Sequence, residues 1–198
     1  MLTFISGTFY VKYGCNLPPY KDLKTGNFCV GGKEMSHIIY IIDSGIARCY
    51  NGKVTANTIK DTERFQGTPE FASRYAHAEI KQSSFCDLEP WVFAILDYYD
   101  TNTIFWKHTE DMKEIGKMKI QFFANPSEKN IFTILPKQYK PLIKEVGDLQ
   151  SKSDYKINGG KINYVFLLNL LTNIGASLKY SLATKFDWEY KALVKNGH

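Results

Sequence analysis

Tyr20-Lys21-Asp22-Leu23-Lys24-Thr25-Gly26-Asn27 is the stretch on which the fold turns. It holds an acid, a lysine and an amide, and a strand-forming run, Phe28-Cys29-Val30, follows at once. A second run, Ile38-Ile39-Tyr40-Ile41-Ile42, lies beyond Gly31-Gly32-Lys33-Glu34-Met35-Ser36, which has the composition of a turn. β-Branched and aromatic runs on either side of such a turn predict a β-hairpin. Asp43-Ser44-Gly45 closes the second run. A hairpin brings its ends together, so Asp22, Lys24, Asn27 and Asp43 are expected to converge at one mouth.

That set of groups suits phosphoryl transfer. A hard divalent cation such as Mg²⁺ takes oxygen ligands. The Asp43 carboxylate and the Asn27 amide carbonyl would supply them. Asp22 would orient a hydroxyl nucleophile, and Lys24 would neutralise charge on the transferred group. This chemistry rests on positioning and electrostatics, so a few well-placed groups make up most of one face of a site.

Outward from this stretch, residues 44–70 are polar and lack a hydrophobic period. They read as a long loop, and long loops inside compact domains are usually functional. From Asp87 onward, Leu88, Trp91, Val92, Ile95 and Leu96 mark a helical stripe. Apolar residues off the stripe predict a helix buried on all sides. Helical patterns recur at about 109–124, 137–150 and 161–179, the last after Asn158-Gly159-Gly160. Residues 1–19 are apolar and then broken by Gly14 and Pro18-Pro19, and read as irregular. One hairpin followed mostly by helices is an α+β fold, mainly α-helical.

Composition narrows the function classes. The chain has 198 residues, 44% hydrophobic and 23% charged, which excludes collagen-like and acidic-disordered chains and allows a core without metal or disulfide staples. Net charge is +5, from 25 Lys+Arg against 20 Asp+Glu, spread along the chain. It permits acidic partners, but no nucleic-acid module accompanies it, so no nucleic acid is expected. Cys15, Cys29, Cys49 and Cys86 form no C-x-x-C pair and read as reduced, mostly buried thiols. The N-terminus lacks a basic region and a small-residue cleavage site. Ile162–Leu182 is apolar but carries Asn163, Asn169, Asn173 and Lys179, so it reads as a core helix and no membrane association is expected. The expected setting is intracellular, cytosolic or nuclear. His37, His108 and His198 show no metal spacing with the cysteines, and His77 reads as structural. Lys113, Lys117 and Lys119 read as a solvated helix face with Glu110 and Glu114. Trp91, Trp106 and Trp188 read as core anchors.

The order Y-K-D-L-K-T-G-N, hairpin, D-S-G resembles the protein-kinase set H-R-D-L-x-x-x-N and D-F-G. The lysine two places after Asp22 is similar to the serine/threonine type. Gly67-Thr68-Pro69-Glu70-Phe71-Ala72-Ser73 resembles the G-T-x-R-Y-A-S segment of the casein kinase 1 family. Ala76-His77 and Cys86-Asp87-Leu88-Glu89 are similar to its A-H and D-D-L-E-S. Trp106-Lys107, Glu114 to Lys119, Leu135-Pro136, Asp154-Tyr155 and Phe186-Asp187-Trp188-Glu189 continue the likeness, and a tau-tubulin-kinase-like branch fits as well.

The resemblance implies a kinase-like C-terminal lobe over residues 20–190, a remnant at 1–19 without the N-terminal lobe, and a tail at 191–198. It implies transfer of the γ-phosphoryl group of ATP·Mg²⁺ to a protein Ser/Thr. It places Asp22, Lys24 and Thr68 in catalysis, Asn27 and Asp43 on Mg²⁺ and nucleotide, and Asp87 beneath the site as structural support. No G-x-G-x-x-G and no strand lysine precede Tyr20. The polypeptide by itself is therefore expected to be inactive, and the alternative is a pseudokinase or protein-interaction module. Tyr20, Lys21 and Ser44 stand where His, Arg and Phe are usual, and Glu70 replaces the arginine that binds a priming phosphate.

Overall fold

A computed structural model describes residues 2–5, 8–11, 19–47, 64–82, 84–128, 130–149, 162–180 and 188. The chain divides into two compact units. One draws on residues 1–14, 26–43 and 163–198, the other on 15–25 and 44–162.

The first unit carries the sheet. β1 (Leu2–Ile5), β2 (Thr8–Val11), β3 (Phe28–Val30) and β4 (Ile38–Ile41) form four strands in the order β2-β1-β4-β3. β3 and β4 pair antiparallel, with Phe28 opposite Ile41 and Val30 opposite Ile39. This is the hairpin that the two strand-forming runs predict. Its turn closes when the Gly31 amide donates to Ile38 O at 2.9 Å. A Cβ at Gly31 would lie 2.2 Å from Met35 O, so only glycine lets the turn fold this tightly. The hairpin does not stand alone, because β1 pairs β4 with Phe4 opposite Ile39. Residues 2–5 and 8–11 are therefore strands, where an irregular segment was expected. Strand pairing at a distance outweighs the local proline and glycine signals, which lie C-terminal to them.

A helix, α5 (Tyr164–Ser177), lies alongside β2. The Asn163 side chain caps it by accepting from the Phe166 amide at 2.9 Å. Its burial departs from expectation. Only Leu167 and Ile174 are buried, two turns apart on one stripe, while Val165 is 68% exposed. Among the described residues no helix is long and apolar enough to cross a membrane.

The second unit is helical: α1 (Arg74–His77), α2 (Leu88–Tyr99), α3 (Met112–Ala124) and α4 (Lys140–Leu149). α2 is buried from Glu89 through Ala94 and again at Leu96, as its all-round apolar pattern predicts. Around Phe93 stand Trp106 at 5.0 Å, Phe123 at 5.6 Å and Phe122 at 6.0 Å between ring centroids. Each such buried side chain contributes about 1.5–3 kcal/mol by burial. α4 offers Leu142, Ile143, Val146 and Leu149 to the interior, one stripe at helical spacing. Trp91 and Trp106 are core anchors, whereas Trp188 is 36% exposed and donates to Ser36 O at 2.8 Å. Cys86 is buried and Cys29 exposed, both as free thiols. Cys15, Cys49, residues 48–63 of the long loop and Asp154-Tyr155 lie outside the described residues.

Candidate functional site

Residues 20–25 run along α2 and are tied to both of its ends. Asp87 lies at the N-terminal boundary of α2, yet its carboxylate makes no cap bond to its own helix. It accepts instead the backbone amides of Tyr20 at 2.7 Å and Lys21 at 2.9 Å. At the other end the Thr25 hydroxyl donates to Asp97 Oδ2 at 2.7 Å. Leu23 points inward and is buried. The Asp87 carboxylate thus holds the backbone of Tyr20 and Lys21. Burial pushes its carboxyl up to about 6, with the Lys21 and Tyr20 amides and the Lys21 charge pulling the other way.

This places Asp22, Lys24 and Thr68 together. The Thr68 hydroxyl donates to Asp22 Oδ1 at 2.6 Å. The Lys24 ammonium donates to Thr68 Oγ1 at 3.0 Å and lies 3.0 Å from Asp22 Oδ2. Each group thus serves the other two, and all donors and acceptors agree in sense. The side chains of Lys24 and Asp22 keep 30% and 15% of their exposure, so the cluster is reachable from solvent. Chemically it is a carboxylate that already holds a hydroxyl beside a fixed cation.

Thr68 reaches Asp22 through Gly67. Gly67 has φ 107°, and a Cβ there would lie 2.4 Å from Lys21 O. Lys21 has φ 71°, and its ammonium donates to Gln66 Oε1 at 3.2 Å. Residues 66–68 therefore lie directly on residues 21–22. Beyond Thr68 the chain turns, with the Phe71 and Ala72 amides both donating to Thr68 O. It enters α1 at Ser73, whose hydroxyl caps the Ala76 amide.

Asn27 and Asp43 belong to the unit that holds the sheet. The Ile42 amide donates to Asn27 O at 2.9 Å, one step beyond the Phe28–Ile41 pair. Asn27 and Asp43 thus share the open end of the hairpin. Asn27 is buried, while Asp43 is exposed with φ 63°. A positive φ on a residue other than glycine costs on the order of 1–3 kcal/mol and marks sites where geometry matters. The oxygens of an amide and a carboxylate are the donors that Mg²⁺ takes alongside waters and phosphate. Among the described residues no group of three or more His, Cys, Asp or Glu is placed to hold a metal alone.

Reading by residue type misses several working residues. Lys119 was expected on a solvated face and is 0% exposed. Its ammonium donates to Pro69 O at 2.7 Å and Ala72 O at 2.6 Å, while Lys117 does face solvent and pairs with Glu114 at 3.5 Å. The signal was present: Ile115, Lys119, Phe122 and Phe123 follow the spacing of the α3 apolar stripe. Glu89, 1% exposed, pairs with the Arg74 guanidinium at 2.9 Å and also accepts the Arg74 amide at 2.9 Å. Burial raises the Glu89 carboxyl, against the pull of Arg74. His77 is structural, as expected. Its ring lies 3.0 Å from Met112 O and 3.1 Å from Pro69 O, and burial, followed by the Lys119 charge, lowers it to about 4.

Comparison with known proteins gives kinases. A Dictyostelium discoideum protein named a probable serine/threonine-protein kinase is 30% identical over 175 residues, covering 86% of this chain and 32% of its own length. The serine/threonine-protein kinase spe-6 of Caenorhabditis elegans is 26% identical over 175 residues, covering 85% of this chain and 44% of its own. A fowlpox virus protein named a probable serine/threonine-protein kinase is 33% identical over 112 residues, covering 56% of this chain and 36% of its own. The chain thus spans less than half the length of these relatives. No family model matches it. The chain is related to serine/threonine protein kinases, and its mainly helical structure with a small sheet fits a kinase C-lobe-like fragment.

Proposed function

We propose that the chain is the C-terminal-lobe portion of a casein kinase 1-like serine/threonine protein kinase. The observation that carries this reading is the Asp22–Thr68–Lys24 cluster. Asp22 Oδ1 accepts a hydroxyl at 2.6 Å, with an ammonium 3.0 Å from both partners. A substrate Ser or Thr hydroxyl brought to the same carboxylate would be oriented for in-line attack and would pass its proton to Asp22. Lys24 would face the phosphoryl oxygens, and Thr68 would hold both side chains in register. Asn27 and Asp43 would hold Mg²⁺, which when bound supplies charge neutralisation at the ATP phosphates. Glu70 would repel a phosphate already on the substrate, so unprimed protein substrates are expected.

The reaction also needs a lid over the phosphates and a second lysine, contributed by a Gly-rich loop and a strand. Neither motif precedes Tyr20 in these 198 residues. Loss of one donor of this kind costs about 10²–10³ in rate, and loss of the set leaves no useful turnover. The purified polypeptide alone is therefore expected to transfer no labelled phosphate from ATP to casein. Mg·ATP at millimolar concentration is expected to raise its melting temperature slightly, and Asp43→Ala to abolish the rise. Transfer by the polypeptide alone would overturn the inactivity. A melting temperature indifferent to Mg·ATP would overturn the nucleotide site and favour the interaction module.

A further inference from the structure

Lys119 takes no part in the chemistry just described, yet it is the most completely enclosed cation among the described residues, at 0% exposure. A side chain so placed must find its partners inside the protein. Its Nζ has three: Pro69 O at 2.7 Å, Ala72 O at 2.6 Å and His77 Nε2 at 3.1 Å. An ammonium has three N–H donors and no acceptor, so the match is complete. The His77 ring itself spans two carbonyls, with Nδ1 3.0 Å from Met112 O and Nε2 3.1 Å from Pro69 O. The Phe93 and Trp106 rings, 4.9 Å and 5.6 Å from Nζ, give the cation two aromatic faces. Burial lowers the Lys119 amine well below its usual 10.5, against the opposing fields of Glu89 and Glu70.

The two carbonyls belong to one short turn. Thr68 O receives the amides of Phe71 at 3.0 Å and Ala72 at 2.8 Å. Glu70 O receives Trp106 Nε1 at 2.8 Å. Lys119 takes the remaining pair, Pro69 O and Ala72 O. The turn begins at Thr68, whose hydroxyl meets Asp22 and Lys24.

We infer that Lys119 is a positioning residue, whose bonds to Pro69 O and Ala72 O hold the 68–72 turn so that the Thr68 hydroxyl meets Asp22 and Lys24. The inference rests on reading those three residues as the reaction centre. Its test uses no nucleotide, so its failure is separate from a failure of the nucleotide site.

The test is amide exchange on the 198-residue chain carrying Lys119→Met. The Phe71 and Ala72 amides should exchange about ten- to a hundredfold faster, while Leu142 to Val146 in α4 keep their rates. The shift of the Thr68 methyl signal on adding Asp22→Asn, present in the unaltered chain, should vanish. Unaltered exchange at Phe71 and Ala72, with α4 still protected, overturns the inference. Should Lys119→Met fail to fold, the unaltered chain answers. Lys119, with Nζ on Pro69 O and Ala72 O, should show a slowly exchanging ammonium signal. A rapidly exchanging amine overturns it.

Discussion

Replacing Gly67 with alanine should damage stability and the candidate site together. Gly67 has φ 107°, a region that costs a residue with a side chain about 1–3 kcal/mol. The new Cβ would also lie 2.4 Å from Lys21 O, a backbone atom that cannot swing aside as a side chain can. Relieving such a contact in packed structure costs about 1–3 kcal/mol more. The gain from a stiffer unfolded chain offsets about 0.4–1 kcal/mol. The net loss is about 2–5 kcal/mol, a large part of a typical domain stability of about 5–15 kcal/mol. The displaced atoms belong to the peptides before Asp22 and Thr68, so the 2.6 Å bond between those residues should break as well. Gly26→Ala is the control, since nothing lies within 4 Å of its added Cβ. Urea unfolding of both variants, with the Thr68 hydroxyl environment followed by NMR, makes the comparison. If Gly67→Ala unfolds within about 0.5 kcal/mol of Gly26→Ala and keeps the wild-type Thr68 signal, the reasoning fails.

Two further outcomes are expected. Glu89→Ala leaves the Arg74 guanidinium without its carboxylate in a mostly buried position and should cost about 3–5 kcal/mol in urea unfolding, so a loss below about 1 kcal/mol would count against the pair. His77 has a folded-state value of about 4 against 6.5 unfolded, so the unfolded chain takes up the proton first. Its contribution is intact above pH 6.5 and is lost as pH falls toward about 4. Asp87, raised from 3.8 to about 6, acts in the opposite sense and loses its contribution as pH rises through that window. The difference in unfolding free energy between the unaltered chain and His77→Gln isolates the histidine. It should shrink on acidification across that range, and a difference that stays constant would refute the assignment.

Where signals were local, the sequence was legible. The two strand-forming runs and the turn between them gave β3 and β4, and the apolar stripe after Asp87 gave α2. The helical patterns at 109–124, 137–150 and 161–179 enclose α3, α4 and α5. Asp22, Lys24 and Thr68 could be grouped only through the kinase resemblance, because Thr68 lies more than forty residues from the other two. What escaped was set by distant partners. β1 is a strand because β4 and β2 border it. Lys119 reads as a surface lysine by residue type, and only its place in the α3 stripe betrays its burial. Trp188, Val165 and Phe166 show the converse, since apolar character did not bring them inside.

The central claim is that Asp22 receives the proton of a substrate hydroxyl once the upper half of a kinase is supplied. The direct measurement is labelled-phosphate transfer from ATP to casein by this chain joined behind a related kinase's N-terminal lobe, with its Gly-rich loop, strand lysine and helix glutamate. The account predicts transfer by the joined protein, a fall of about 10²–10⁴ on Asp22→Asn, and none from the 198-residue chain alone. A joined protein that folds and binds Mg·ATP yet transfers no phosphate, or transfers equally well with Asp22→Asn, would contradict it.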